Sequence, residues 1–248
     1  MRRNPLITTI IPVYNCELYV KESILSILEQ TYTNFELFVV DDGSTDNTLL
    51  IVNDIAKKDG RIRIIKNSEN KGQSACMNMA IKQANGNYIA RMDADDYSTK
   101  DRFHLQVKYL EENEDVFLCG TGVMLCDENL LPITKWDTVY SSSEINEQLN
   151  LLEGKIPIKH SSIMYRKNSQ VLYRDKITYA QDLDLFLRLN SYNFKMTNIK
   201  EVCLYYRQHP NSISQLNHKE RLQFIRLVEK FHDERSQYGL DSYNALFD

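Results

Sequence analysis

The chain has 248 residues, 42% of them hydrophobic, and its 30 basic and 34 acidic residues give a formal net charge of −4. This length and apolar content suit one large α/β domain with a C-terminal extension, and the acidic balance disfavours a role in coating nucleic acid. Five scattered cysteines without a CxxC pair favour neither a disulfide framework nor a zinc site, and no apolar stretch approaches the roughly 20 residues that span a bilayer. We therefore expect a cytoplasmic protein with no nucleic-acid partner.

Strands and helices alternate in the first part of the chain. Runs of β-branched residues predict strands, and apolar residues spaced three and four apart predict helices. The predicted strands are 6–13, 35–40, 61–65 and 88–92, and the predicted helices are 17–30, 45–57 and 73–84. This alternation is typical of a doubly wound sheet, in which ligands bind beyond the carboxyl ends of the strands.

The second half of the chain is less regular. The predicted helices are 101–113, 144–152, 181–191 and 219–235, the predicted strands are 116–125, 161–165 and 195–206, and the polar segment 126–143 is predicted as a loop. The last helix carries an apolar stripe beside several basic residues. Two interpretations of that stripe stay open, namely packing onto the domain and contact with an anionic membrane surface.

Two acidic clusters follow predicted strands. Asp41 and Asp42 come after the strand at 35–40, and Asp93 and Asp95 come after the strand at 88–92. Two carboxylates spaced in this way can bind one hard divalent cation, or one of them can hold a ribose hydroxyl. A carboxylate at a strand end can also accept the imide N–H of uracil or thymine. Solvated turns and helix caps are the open alternative for both clusters.

Five segments, in a fixed order, resemble the inverting family 2 glycosyltransferases of GT-A fold. They are PVYN (12–15), DDGSTDNT (41–48), NKGQSACMNMA (70–80), GNYIARMDADD (86–96) and QDLDLFLRL (181–189). The resemblance implies a Rossmann-like, doubly wound mixed sheet with a C-terminal acceptor-side region and a terminal helix. Within a single domain, it implies a nucleotide-sugar-binding part at 1–98, an acceptor and catalytic-base part at 99–215 and a helical extension at 216–248.

The resemblance also assigns roles to individual residues. It implies that Tyr14 stacks on the nucleobase, Asp42 accepts a hydrogen bond from it, and Asp93 faces the ribose. Asp95 would coordinate Mn²⁺ or Mg²⁺ beneath the diphosphate, with His209 as a second metal ligand. The other implied site residues are Pro12, Asn67 and Lys71 at the nucleotide, and Arg207 and His160 on the diphosphate and acceptor side. Each of these roles has a structural alternative. Tyr14 can be an ordinary half-buried tyrosine, and His160 can be a structural histidine. Arg207 and His209 can belong to a surface loop closed by Pro210.

The general base implied by the resemblance is Asp182. It would take a proton from the acceptor hydroxyl as that oxygen attacks the anomeric carbon, and a single displacement would invert the configuration. Gln181 stands where the family usually has glutamate, which removes a like charge beside Asp182. Asp184 is an alternative candidate for the general base. The structural interpretation of Asp182 is that its negative charge is favourably placed against the helix dipole.

The resemblance further implies a substrate class. The donor would be a UDP-hexose or UDP-N-acetylhexosamine, and the acceptor a saccharide on a polyprenyl diphosphate, in surface polysaccharide (O-antigen or capsule) biosynthesis. The chain would then meet the cytoplasmic face of the inner membrane. Two alternatives are a sugar-phosphate nucleotidyltransferase, whose Gly-rich, basic triphosphate loop is missing, and a non-catalytic nucleotide-sugar binding module. The presence of Asp95 and Asp182 speaks against the second alternative.

Overall fold

The computed structural model describes residues 4–151, 156–210, 212 and 218–247. Its strands are β1 (Ile7–Val13), β2 (Phe35–Asp41), β3 (Ile62–Lys66), β4 (Tyr88–Arg91), β5 (Tyr97–Ser98), β6 (Val116–Cys126), β7 (Pro132–Trp136), β8 (Met164–Arg166) and β9 (Lys195–Arg207). Its helices are α1 (Val20–Leu28), α2 (Thr48–Ala56), α3 (Gln73–Gln83), α4 (Arg102–Glu112), α5 (Ser142–Asn150), α6 (Gln181–Ser191), α7 (His218–Tyr238) and α8 (Tyr243–Phe247).

The strands of the described residues form one mixed sheet in the order β3-β2-β1-β4-β8-β6-β9-β5, and β7 pairs with β6 outside this path. Strands β1 to β4 are parallel to one another, whereas β8 runs antiparallel to both β4 and β6. Because β2 and β4 lie on opposite sides of β1, the strand order reverses there, and the loops after these strands open a crevice. The predicted doubly wound mixed sheet is confirmed.

Hydrophobic cores lie on both faces of this sheet. Neighbouring residues of β1 point to opposite faces, so that Ile10 belongs to one core and Ile11 to the other. The first core is covered by α3, α5, α6 and α7, and the second by α1, α2 and α4. In α7 the apolar stripe includes Val228 and Phe231, which are fully buried in the first core, as the packing interpretation predicts. The described residues contain no helix that is both long and apolar enough to cross a membrane.

Several predicted elements were wrong. The segment 126–143 is not simply a loop, because it contains β7 and the start of α5. All five residues of β7 are exposed, so its sequence carries no alternation of buried and exposed positions that would indicate a strand. The predicted strand at 161–165 begins instead as a 3-10 turn, His160–Ser162, and only Met164–Arg166 pairs with the sheet. The short strand β5 and the last helix, α8, were missed.

Candidate active site

Asp42 lies at the carboxyl end of β2 and is almost fully buried. Its Oδ1 accepts hydrogen bonds from Asn67 Nδ2 at 2.8 Å and from the backbone N–H of Lys71 at 2.9 Å, and its Oδ2 accepts from the backbone N–H of Gly72 at 2.8 Å. A carboxylate has about four acceptor sites, so one site on Oδ2 is left for a further donor. The structure therefore brings the predicted residues Asp42, Asn67 and Lys71 together, with Asn67 and the Lys71 backbone orienting the carboxylate.

The loop after β1 forms the neighbouring wall of the crevice. Pro12 is in β1, and the Tyr14 side chain that follows the strand is 49% exposed. Asn15 adopts a left-handed conformation, and its side-chain oxygen accepts from the backbone N–H of Thr45 at 2.8 Å. This contact ties the loop after β1 to the loop after β2. The exposed Tyr14 side chain therefore belongs to a loop that is held in place, and the residue before it, Val13, accepts from the backbone N–H of Asp42 at 2.9 Å.

Three carboxylates gather at the carboxyl end of β4. One oxygen from each of Asp93, Asp95 and Asp96 lies within 4.8 Å of the others. Asp96 is fully buried; its Oδ1 accepts from the backbone N–H of Arg207 at 3.0 Å, and its Oδ2 has no hydrogen-bond partner among the described residues. Burial, and then the charges of Asp95 and Asp93, raise the pKa of Asp96 well above its usual range. A cluster of carboxylate oxygens with an unpartnered buried oxygen fits a hard divalent cation such as Mn²⁺ or Mg²⁺.

His209 is brought to this cluster from the end of the sheet. Its Nε2 lies 2.9 Å from Asp95 Oδ2, and its ring centroid lies 4.7 Å from that of Tyr19. Its Nδ1 is buried without a partner in the described part of the chain. Arg207 donates to the backbone oxygen of Asp95 at 2.7 Å and to Glu22 Oε2 at 2.5 Å. Arg207 thus braces the loop that carries Asp95, and His209 contacts the carboxylate itself.

Asp93 has contacts that the sequence did not predict. The fully buried Arg91 donates to Asp93 Oδ1 at 2.6 Å and to Oδ2 at 3.1 Å. Gln73 Nε2 donates to Asp93 Oδ1 at 3.0 Å, while Gln181 Nε2 donates to Gln73 Oε1 at 2.5 Å. A chain of directed hydrogen bonds therefore runs from the start of α6 to Asp93. An arginine inside the apolar strand segment YIARM was a signal for this contact.

Asp182 lies in the first turn of α6 and lines a cleft of about 460 Å³. The same cleft is lined by Lys159, His160, Trp136 and Arg221. Apart from His160, none of these neighbours was predicted to be a site residue, because they come from separate segments. The Asp182 carboxylate accepts from the backbone N–H that follows it at 2.9 Å, so its position is fixed while its other oxygen has room for a proton donor.

Asp184, the alternative candidate for the base, occupies a different environment. It is almost fully buried, and its carboxylate lies 2.9 Å from Arg188 Nε and 3.4 Å from Arg174 Nη1. These ion pairs hold it within the interior of the domain. Of the two aspartates, only Asp182 is among the residues that line the cleft.

His160 lines the same cleft but is otherwise enclosed. Its Nε2 lies 2.7 Å from the Tyr173 hydroxyl, and the ring of Phe186 meets the imidazole edge-on. Burial, with a smaller effect of Arg91, holds the pKa of His160 well below its usual value, so the ring is neutral near pH 7. His160 contributes shape and a hydrogen bond to the cleft but no charge.

Comparisons with known proteins show the family of this chain. A glycosyl transferase family 2 model matches residues 8–171. An Escherichia coli relative, UDP-Glc:alpha-D-GlcNAc-diphosphoundecaprenol beta-1,3-glucosyltransferase WfaP, is 36% identical over 87% of this chain and 82% of its own length.

Two solved structures share the fold. S. aureus TarS 1-349 in complex with UDP-GlcNAc has a TM-score of 0.71 at 21% identity, over 90% of this chain and 65% of that chain, so this chain spans slightly less than two thirds of TarS 1-349. The mannosyltransferase PcManGT from Pyrobaculum calidifontis, in complex with GDP-Man and Mn²⁺, has a TM-score of 0.66 at 18% identity, over 99% of this chain and 79% of that one. Together with the family match, these findings show that the chain belongs to glycosyl transferase family 2 and has the GT-A fold.

Proposed function

We propose that this chain is an inverting glycosyltransferase that moves a hexose or an N-acetylhexosamine from a UDP-sugar to a lipid-linked saccharide in surface polysaccharide biosynthesis. The observation that carries the proposal is the placement of Asp182 in a cleft of about 460 Å³, with the acidic cluster after β4 as a second feature of the same fold. The substrate class is supported by the name of the relative WfaP, which gives UDP-Glc as donor and a diphosphoundecaprenol-linked GlcNAc as acceptor.

The nucleoside would bind in the crevice between the loops after β1 and β2. The exposed ring of Tyr14 offers a flat apolar face to the base. The remaining acceptor site on Asp42 Oδ2 suits the imide N–H of uracil, because the other sites of that carboxylate are already filled by Asn67, Lys71 and Gly72. Asp93, which is fixed by Arg91, would accept from a ribose hydroxyl.

Asp95, its neighbour Asp96 and His209 would hold the divalent cation. A cation bound there supplies positive charge against the negative charge that develops on the departing diphosphate. Arg207 keeps Asp95 in position through its backbone oxygen, and Tyr19 supports the His209 ring from one side. At the cation site, the chain therefore supplies oxygen and nitrogen ligands whose positions are fixed by contacts with Arg207 and Tyr19.

On the other side of the anomeric carbon, the Asp182 carboxylate would accept the proton of the attacking hydroxyl. The new glycosidic bond forms as the bond to the diphosphate breaks, and the proton passes from the acceptor oxygen to Asp182. One displacement of this kind inverts the configuration, so that an α-linked donor yields a β-glycoside. The acceptor would be oriented by the cleft in which Asp182 lies.

A donor panel tests this proposal. The purified chain is incubated with UDP-, GDP- and dTDP-sugars and an alkyl N-acetylglucosaminyl diphosphate as acceptor, with Mn²⁺ and separately with EDTA. We expect release of UDP from a UDP-hexose or UDP-N-acetylhexosamine with Mn²⁺, and an NMR coupling of the product's anomeric proton that shows inversion. Release of pyrophosphate, retention of configuration, or a preference for GDP- or dTDP-sugars would each contradict a part of the proposal.

A further inference from the structure

The cleft beside Asp182 contains two cationic side chains that the proposed chemistry does not use. They are Lys159, just before the 3-10 turn, and Arg221, on α7. The third basic residue of the cleft, Lys135, is already paired with Asp137 at 2.8 Å. In the parts of the chain that the structure describes, no carboxylate lies within ion-pair distance of Lys159 or Arg221. Among the described residues that line the cleft, two positive charges therefore accompany a single carboxylate, that of Asp182.

Among the described residues, the side chains that contact the Lys159 ammonium are aromatic rings and not a paired carboxylate. Its Nζ lies 4.0 Å from the ring centroid of Tyr206 and 5.0 Å from that of Trp136. Burial lowers the pKa of the Lys159 ammonium, and the charges of Asp96, Asp182 and Asp93 act against that shift. A partly buried cation without a paired anion among the described residues costs free energy, and a bound anion would lower that cost. The rings fix the ammonium at the wall of the cleft without neutralising it.

Trp136 adds a surface of a different kind. It is the only tryptophan of the chain, and 48% of it is exposed at the end of β7. Among the described strands, β7 pairs with β6 alone, and it buries none of its five residues, so its contribution to the core is small. Its visible effect is to place the indole at the cleft. An aromatic face that is apolar on its body and polar at its N–H suits the face of a sugar ring.

We propose that this cleft is the acceptor subsite and that Lys159 and Arg221 bind an anionic group of the acceptor, a phosphate or a carboxylate, while Trp136 stacks on a sugar ring. The inference rests on the proposed function, because it is Asp182 acting as the base that makes this cleft the acceptor side. The anion has two possible sources, the diphosphate of a lipid carrier or the carboxylate of an acidic sugar. Both present oxygens that a lysine and an arginine recognise.

Binding can be measured without turnover, through the fluorescence of Trp136. The unaltered chain is titrated in EDTA, which removes cation-dependent binding at the acidic cluster, with three probes. These are an alkyl N-acetylglucosaminyl diphosphate, an alkyl glucuronide and a neutral alkyl N-acetylglucosaminide. We expect a saturable change with one anionic probe, at an affinity about tenfold or more above that of the neutral probe. Which anionic probe binds tells the diphosphate source from the carboxylate source.

Variants then test the two cations. Lys159→Met and Arg221→Gln should each weaken binding of the anionic probe about tenfold, leaving affinity for the neutral probe unchanged. Arg226→Gln is the matched control, because Arg226 is on the same helix and exposed to solvent. In transfer assays we expect Arg221→Gln to raise the acceptor KM by a similar factor with no change in the donor KM. Circular dichroism and Tm establish that each variant is folded.

The subsite is refuted by equal affinity for neutral and anionic probes, by unchanged binding in both variants, or by displacement of the anionic probe by UDP in EDTA. These outcomes are distinct from failure of the proposed function. If the unaltered chain binds the anionic probe but releases no nucleoside diphosphate from any donor, the transferase proposal fails and the binding site stands. If it transfers sugar but binds no anionic probe, the subsite fails and the transferase stands.

Discussion

The hydrogen-bond chain from α6 to Asp93 predicts that Gln181 cannot be replaced by glutamate without loss of activity. Gln73 donates through its Nε2 to Asp93, so its Oε1 faces residue 181 and requires a donor there. Glutamine supplies that donor, whereas an ionised glutamate only accepts. In Gln181→Glu, two oxygens would face each other, or the Gln73 amide would turn over and present its oxygen to Asp93.

The size of the effect follows from the contacts that are lost. Either rearrangement removes one hydrogen bond to a charged or strongly polar group, worth about 1.5–3 kcal/mol when fully buried. The free energy lost should lie near the lower end of this range, because all three side chains, Gln73, Gln181 and Asp93, are partly exposed. In addition, Asp93 keeps both of its hydrogen bonds to Arg91. About 1.4 kcal/mol corresponds to a tenfold change in rate. We therefore expect kcat/KM to fall about tenfold in Gln181→Glu.

The assay is UDP release at fixed pH, with donor and acceptor varied separately, at low salt and at about 0.5 M NaCl, where charge effects between exposed groups are screened. Gln181→Leu, which removes the donor without adding charge, should lose less activity than Gln181→Glu. The matched control is Gln83→Glu, exposed at the end of α3, which should stay within about twofold of the unaltered chain. If Gln181→Glu keeps its activity within about twofold of that of the unaltered chain, then Gln73 Oε1 does not need a donor at residue 181, and the prediction is refuted.

Four further predictions follow from single contacts. Asp182→Asn should lower kcat by about 10²–10⁴-fold with little change in the donor KM, measured by UDP release. Asp95→Asn should abolish the difference between turnover with Mn²⁺ and with EDTA, and equal turnover of the unaltered chain under both conditions would contradict the metal site. Because burial holds the pKa of His160 below its usual value, the unfolded chain binds a proton there that the folded chain does not, and stability should fall as the pH drops below about 6.5. Between about pH 7 and pH 5.5, the free energy of unfolding of His160→Gln should fall by about 1 kcal/mol less than that of the unaltered chain, as measured by urea unfolding. Gly86→Ala should destabilise by about 1–3 kcal/mol, because its Cβ would lie 2.4 Å from a backbone nitrogen of β1, whereas Gly60→Ala meets no atom within 4 Å and should be neutral in thermal unfolding.

Local patterns in the sequence were sufficient for most of the regular elements. The predicted helix at 181–191 has the observed bounds of α6, because its apolar residues repeat at helical spacing and its neighbours cannot continue the pattern. The buried strands β1, β2 and β4 were recognisable from continuous apolar runs. In contrast, β7 has no buried face and exists only through pairing with β6, so no local pattern indicates it.

Some residues of the candidate site could likewise be predicted from local sequence, and others could not. The carboxylates Asp93 and Asp95 were visible because they are close in sequence and follow one strand. Their partners were not, since Asp95 and His209 are 114 residues apart and Gln73 and Gln181 are 108 residues apart. The family motif supplied His209 and Asp182 by resemblance, and their roles stay predictions, as does the functional division of the chain at residues 98 and 215.

The sequence by itself determined the alternation of strands and helices up to β4 and the acidic residues at the strand ends, because hydrophobic periodicity and strand termination are properties of neighbouring residues. Only the tertiary structure decided that Asp184 is enclosed by ion pairs while Asp182 lines the cleft, and that Lys159, Trp136 and Arg221 meet there. These facts depend on how distant segments pack around the sheet. Burial and charge pairing are set by that packing, and a side chain's chemistry follows from its surroundings as much as from its identity.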